Sequence, residues 1–254
     1  MKYFALLFIT LSLLSCRKRL DSFLFNGSKL ESYQLDAFTG EVSLELNGQF
    51  AVPDSLIHRV HFPVVIDGET VQVQGVYVGD TNHINQDTVI LYCHGNKDHM
   101  DFYWCREKLY AHIGGLGRYG VLMFDYPGFG LSEGTATENN MYTATSSAIS
   151  WLKDRGLSND RFVMFGFSLG SAPVCEVAGH SSDYALQPSK IILEAPFASA
   201  EIMIQDAALL SMPGSFLVDL KIDNATEIKK VNVPLLWIHG MADSFLSMSS
   251  HGQL

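Results

Sequence analysis

The chain has 254 residues, 47% of them hydrophobic and 17% charged, a globular balance that excludes wholesale disorder and leaves ample material for a buried core. Lys+Arg number 17 against 27 Asp+Glu, a formal net charge of -10. No basic cluster follows the first twenty residues, so nothing favours phosphate backbones and nucleic-acid binding is not expected. No period of about 20 to 50 residues repeats, which excludes solenoids and propellers.

Lys2 precedes an apolar run from Tyr3 to Leu14, closed by Ser15-Cys16. That length suits the h-region of a secretory signal and is too short to span a bilayer. Leu13-Leu14-Ser15-Cys16 resembles the lipobox of bacterial lipoproteins, in which the cysteine is lipidated and becomes the mature N-terminus. The resemblance implies a signal peptide over residues 1–15, lipidation of Cys16, and a protein anchored to a membrane of the bacterial cell envelope. Arg17-Lys18-Arg19 would then lie beside the headgroups. Cys93, Cys105 and Cys175 remain, an odd number, and no disulfide framework is indicated. No C-x-x-C pair exists, and His94 and His99 beside Cys93 lack a zinc spacing, so no metal or cofactor is expected.

Residues 16–50 show little periodicity and read as a linker with an edge element; residues 51–254 read as one domain. Val71–Val78 alternates apolar and polar residues, as a half-buried antiparallel strand does. Leu56–Val65 is its expected hairpin partner, with Asp67-Gly68 in the turn. Five near-continuous apolar runs follow: Val89–Cys93, Val121–Phe124, Phe162–Phe165, Ile191–Leu193 and Leu235–Ile238. Such runs suit strands buried on both faces, and the intervals leave room for crossover helices over Phe102–His112, Asn139–Arg155 and Ser171–Gly179. The expected fold class is α/β, a mostly parallel sheet with an antiparallel N-terminal edge and helices on both faces. Polar and glycine-rich residues gather after each run, at the carboxyl ends of the strands where open α/β sheets place their ligands.

Gly166-Phe167-Ser168-Leu169-Gly170 matches the nucleophile elbow G-x-S-x-G between an expected strand and helix. Together with His94-Gly95-Asn96, Asp125-Tyr126-Pro127-Gly128-Phe129-Gly130-Leu131-Ser132, Leu193-Glu194-Ala195-Pro196-Phe197 and Ile238-His239-Gly240-Met241-Ala242-Asp243, it resembles the α/β-hydrolase superfamily. The similarity lies with the branch of serine aminopeptidase-like and monoacylglycerol-lipase-like esterases, from about residue 60 onward.

The resemblance implies that Ser168 is the acyl-accepting nucleophile, that the backbone N–H groups of Asn96 and Leu169 form the oxyanion hole, and that Asp243 orients a histidine. Asp125 is expected to brace its turn, His94 to shape the oxyanion loop, and Glu194 is a minor rival for the orienting acid. The family places its histidine one strand and one helix past the acid. His251 is the sole histidine among the eleven residues after Asp243 and precedes that position. The catalytic histidine is therefore expected beyond Leu254, and the chain reads as cut short, lacking a final strand and helix, nearly inactive and aggregation-prone.

Apolar residues within 199–224 fit a short helical cap over the serine. The expected activity is hydrolysis of carboxylester or thioester bonds of a small or lipid-like acyl substrate, with a non-catalytic binding protein on the same fold as the alternative. A dinucleotide-binding oxidoreductase is excluded, since no G-x-G-x-x-G follows the first parallel strand.

Overall fold

A computed structural model describes residues 20–41, 44, 46–208 and 217–253. The signal segment 1–15, Cys16, the middle of the expected cap and Leu254 lie outside the described residues.

The hairpin forms as its pattern requires. Strand β2 (Ile57–Ile66) pairs antiparallel with β3 (Glu69–Val78), and Val60 faces Gly75 across the ladder. Asp67 and Gly68 both take positive φ, 53° and 83°, the combination that a two-residue turn of the right twist demands. The five apolar runs become β4 (Thr88–Cys93), β6 (Tyr119–Phe124), β7 (Phe162–Phe167), β8 (Lys190–Glu194) and β9 (Leu235–Ile238). Among the described residues they join the hairpin in one sheet of order β2-β3-β6-β4-β7-β8-β9. Only the pairings β2–β3 and β3–β6 are antiparallel.

Alternate residues of β4 serve two cores. Val89, Leu91 and Cys93 face one, with Phe62, Phe124 and Met164; Ile90 and Tyr92 face the other, with Trp104, Tyr110 and Phe165. Helix α1 (Met100–Ala111) covers the second face, while α2 (Glu138–Asp154) and α3 (Ser171–Gly179) cover the first. Two covered faces explain why β4, β6, β7 and β8 read as near-continuous apolar runs, whereas β9, expected to be buried on both faces, is exposed along its length. β4 is central, with chain crossing to β6 on one side and β7 on the other. The crevice at that switch point holds the loops after β4 and β7.

Another region departs from the reading of the sequence. The described residues between 20 and 50 add no edge to the main sheet. They form short 3-10 turns and a two-residue strand, β1 (Asn26–Gly27), paired parallel with β5 (Lys97–Asp98) in a separate two-stranded sheet. The expected cap begins as helix α4 (Ala200–Ala208), and its two ends are tied by an antiparallel bridge between Ser199 and Asp223. A short helix, α5 (Asn224–Glu227), follows. At the other end of the sheet, β9 pairs with β8, and its Leu235, Leu236, Trp237 and Ile238 are all exposed.

Candidate active site

The chain turns from β7 into α3 through Ser168, whose φ of 50° lies in the left-handed region that a non-glycine residue enters only at a cost of about 1–2 kcal/mol. Tight packing enforces this turn. A Cβ on Gly166 would stand 2.5 Å from the Gly170 carbonyl oxygen, and a Cβ on Gly170 would stand 1.9 Å from the Cys93 carbonyl oxygen. Gly170 has an ordinary φ of −61°, so close approach to β4, and not backbone freedom, demands glycine there. The buried Ser171 hydroxyl donates to the Ser168 carbonyl (2.7 Å) and accepts from Asn224 Nδ2 (3.0 Å), which also donates to the Phe197 carbonyl (2.9 Å). Ser168 itself is half-buried, and no side chain among the described residues hydrogen-bonds its Oγ. Leu169 follows it at the start of the turn into α3, only 3% exposed.

The same packing brings the loop after β4 against the elbow. A Cβ on Gly95 would meet the Phe167 ring at 3.2 Å and the Tyr103 hydroxyl at 2.6 Å. His94 is fully buried and stacks on Tyr103 with ring centroids 4.9 Å apart. Its Nδ1 lies 2.7 Å from the Gly95 carbonyl and its Nε2 lies 3.3 Å from Asp125 Oδ1. Asp125 is a hub: it accepts from the Tyr33 hydroxyl (2.5 Å) and from the Met100 N–H (2.8 Å), while its carbonyl accepts from Ser132 Oγ (2.8 Å). Asp125 thus braces its own turn and the start of α1.

Asp243 follows β9, two strands along the same carboxyl edge from Ser168. Its Oδ1 accepts from the backbone N–H groups of Phe245 (2.9 Å) and Leu246 (2.8 Å). Its Oδ2 stands 4.0 Å from His239 Nε2, which bonds the Leu246 carbonyl at 2.6 Å. A nucleophile and an acid two strands apart need an imidazole between them to communicate.

His251 is otherwise engaged. It is buried in a π-helical turn (Met248–Gly252), its Nδ1 accepting from the Ala198 N–H at 3.2 Å and its Nε2 facing Asp206 Oδ2 at 3.4 Å. Accepting at Nδ1 puts the proton on Nε2, toward Asp206. Burial holds its pKa below the usual 6.5, the Asp206 charge opposing only in part. Glu194 is engaged as well: Arg106 Nη1 donates to it at 2.8 Å, and Arg106 grips Glu41 with two further bonds of 2.6 and 2.9 Å. Burial, the largest single influence, would lower the Arg106 pKa, but the bonds to Glu41 together with the neighbouring Tyr92, Glu194 and Tyr110 raise it. Its guanidinium lies 3.8 Å from the centroid of the Phe167 ring, next to the serine. A carboxylate so committed is a poor orienting acid, which leaves Asp243 the better candidate.

Sequence reasoning missed Ser171, Asn224, Tyr33 and Arg106, and no local signal marks any of them. Burial drives the Cys93 thiol upward and Cys175 up to about 12, so both are inert at neutral pH. On the far side, Glu176, His180 and Glu227 lie close enough to hold a metal ion. Lys230 Nζ already sits 2.8 Å from both Glu227 oxygens and 3.1 Å from His180 Nε2, supplying the positive charge itself.

Comparison with known proteins agrees with this architecture. Residues 88–208, which carry the elbow and the loop after β4 but not Asp243, match the family described as alpha/beta hydrolase fold. The chain is 33% identical over 162 residues to the uncharacterized protein YfhR of Escherichia coli K12, covering 63% of this chain and 54% of that one. It is 30% identical over 172 residues to the lysophosphatidylserine lipase ABHD12 of Macaca fascicularis, covering 61% and 41% respectively. The chain therefore spans about half, or less, of the length of these curated relatives. The esterase Pf2001 of Pyrococcus furiosus superposes with a TM-score of 0.59 at 16% identity, covering 89% of this chain and 81% of that one. Ferulic-acid-bound Est1E of Butyrivibrio proteoclasticus gives 0.56 at 18%, covering 74% and 81%. The molecule has the α/β-hydrolase fold.

Proposed function

We propose that the protein is a serine hydrolase that cleaves carboxylester or thioester bonds of a small or lipid-like acyl substrate through an acyl-enzyme on Ser168. The observation that carries this reading is the elbow: a serine held at φ 50° on a turn packed so closely that two glycines are obligatory. Strain of this kind persists only where the surroundings over-determine it, and it lifts Oγ clear of the helix for attack. The N–H groups of Leu169 and Asn96 would receive the oxyanion, and Asp243, anchored by two backbone bonds, would orient the base. The base itself is assigned to a histidine other than His251, whose ring nitrogens are committed elsewhere. The lipid-like substrate is supported by the lysophospholipid named for one relative. We further propose that Cys16 is lipidated and holds the protein at a bacterial envelope membrane, so that substrate is met at a lipid surface.

The test is a panel of p-nitrophenyl esters, acyl thioesters and peptide anilides given to the natural protein. Turnover of esters or thioesters well above anilides, lost in Ser168→Ala, supports the reading; equal rates on amides, or turnover that survives the substitution, overturns it. Incorporation of labelled fatty acid that disappears in Cys16→Ser tests the anchor.

A further inference from the structure

The segment before the family match does more than lead into the domain. We propose that residues 20–35 form a strap that holds the oxyanion loop in its working geometry, with Asn26 and Tyr33 as positioning residues. This rests on the reading of Asn96 as an oxyanion donor.

The direction of an N–H is set by its peptide plane, and each plane is rigid, so fixing the carbonyl of a plane fixes the N–H on its other side. The plane that carries the Asn96 N–H ends in the Gly95 carbonyl, which faces His94 Nδ1 at 2.7 Å. The next plane ends in the Asn96 carbonyl, and this accepts from the Asn26 N–H of the strap at 3.0 Å. Asn96 Nδ2 reaches the strap's Phe23 carbonyl at 3.5 Å, and the Ser28 N–H donates to the Asp98 carbonyl at 3.0 Å. The strap therefore grips the loop on the carbonyl side of Asn96, while the imidazole grips it from beneath.

The carboxylate that faces the imidazole is itself held by the strap. Tyr33, 7% exposed, donates to Asp125 Oδ2 at 2.5 Å and accepts from the Leu131 N–H at 3.1 Å. The other oxygen of Asp125 faces His94 Nε2. Between these two grips the strap is pinned to the neighbouring turn: Gly130 N–H donates to the Ser28 carbonyl (2.8 Å), Leu30 N–H to the Gly130 carbonyl (3.2 Å), and Lys29 Nζ to the Ser132 carbonyl (2.7 Å). Gly27 is pressed so flat on Phe129 that a Cβ there would lie 2.4 Å from the ring. Further along, Asp101 accepts from the N–H groups of Gln34 (2.7 Å) and Leu35 (2.9 Å), fixing the strap to the first turn of α1. The strap thus grips the loop at Asn96 and Asp98 and, through Tyr33, holds the Asp125 carboxylate that lies 3.3 Å from His94 Nε2.

The experiment compares the natural protein with Gly27→Ala, which must lift the strap from Phe129, and with Tyr33→Phe, which keeps the ring and removes both hydroxyl bonds. Amide exchange is followed over residues 94–98, alongside kcat and KM for p-nitrophenyl butyrate and inhibition by a trifluoromethyl ketone. The expected result is exchange at least tenfold faster over 94–98 in Gly27→Ala. Both variants should lose about tenfold in kcat with KM within twofold, because a small misplacement of a donor costs the transition state and not the ground state. Binding of the ketone, which mimics the tetrahedral adduct, should weaken by the same factor as kcat; a strap that only stabilises the fold would lower melting temperature without moving that ratio. Unchanged exchange and unchanged kcat, or a rise in KM with kcat intact, would overturn the proposal. If the natural protein turns over no ester, the hydrolase reading fails separately, and exchange alone decides: protection lost in either variant supports the strap, protection kept in both refutes it.

Discussion

Replacing Gly170 by alanine should be among the most damaging single-methyl changes in the molecule. The added Cβ would lie 1.9 Å from the Cys93 carbonyl oxygen, 2.4 Å from the Cys93 carbonyl carbon and 2.9 Å from the His94 carbonyl oxygen. Ordinary contact needs roughly 3.4 Å, so the elbow and the end of β4 must separate by more than about 1 Å, or α3 must tilt. These are backbone atoms in a sheet paired on both sides, and no side chain can swing away to make room. Because φ is −61°, alanine has no dihedral penalty there and the whole effect is steric. Overpacking a rigid site costs about 3 kcal/mol, the upper end of its usual range. For a domain of this size that is a fall in melting temperature of about 6–12 °C. Urea unfolding of Gly170→Ala against the parent measures it. Gly48→Ala serves as control, because a Cβ there meets nothing within 4 Å. A Gly170→Ala protein within about 0.5 kcal/mol of the parent, or a Gly48→Ala protein equally destabilised, would refute the packing argument.

Glu107 is wholly buried, and burial raises its pKa well above the usual 4.5, so the fold favours its protonated form relative to the unfolded chain. A raised pKa means its contribution to stability is full below pH 4.5 and is lost as pH rises through the folded value; Glu107→Gln should therefore stabilise at pH 8 by about 1–3 kcal/mol and much less at pH 4, read from melting curves at both. A gain that does not grow with pH would contradict this. His251 runs the other way. Its pKa lies below 6.5, so its contribution is full above that pH and is lost as pH falls through the folded value; His251→Gln should flatten the acid limb of the stability profile below about pH 6.5. Parallel acid limbs in parent and variant would count against its buried, neutral state.

Much of the framework is legible in the residues alone, for reasons the structure makes plain. β4, β6, β7 and β8 are covered on both faces, so burial writes itself as unbroken apolar runs, while the hairpin, less covered, keeps its alternation. The elbow is legible because steric demands act within five residues, where a glycine and a serine must sit at set offsets. The strap is not. Its bonds link Asn26 to Asn96 and Tyr33 to Asp125, far apart in sequence, and a two-residue strand is too short to show a period. The commitment of Glu194 is equally hidden, since its partner Arg106 lies on helix α1, 88 residues earlier. Ser171 looked like an ordinary first helix residue, and only the fold brings Asn224 to it.

The claim on which the account depends is that Ser168 is an activated nucleophile, and covalent labelling tests it most directly. The natural protein is treated with a fluorophosphonate probe, digested, and the modified peptide mapped. The account predicts one adduct, on Ser168, abolished by Ser168→Ala and slowed in Asp243→Asn. An unlabelled Ser168 in a folded natural protein, or a label that survives the alanine substitution, would contradict it and leave the fold as a binding scaffold.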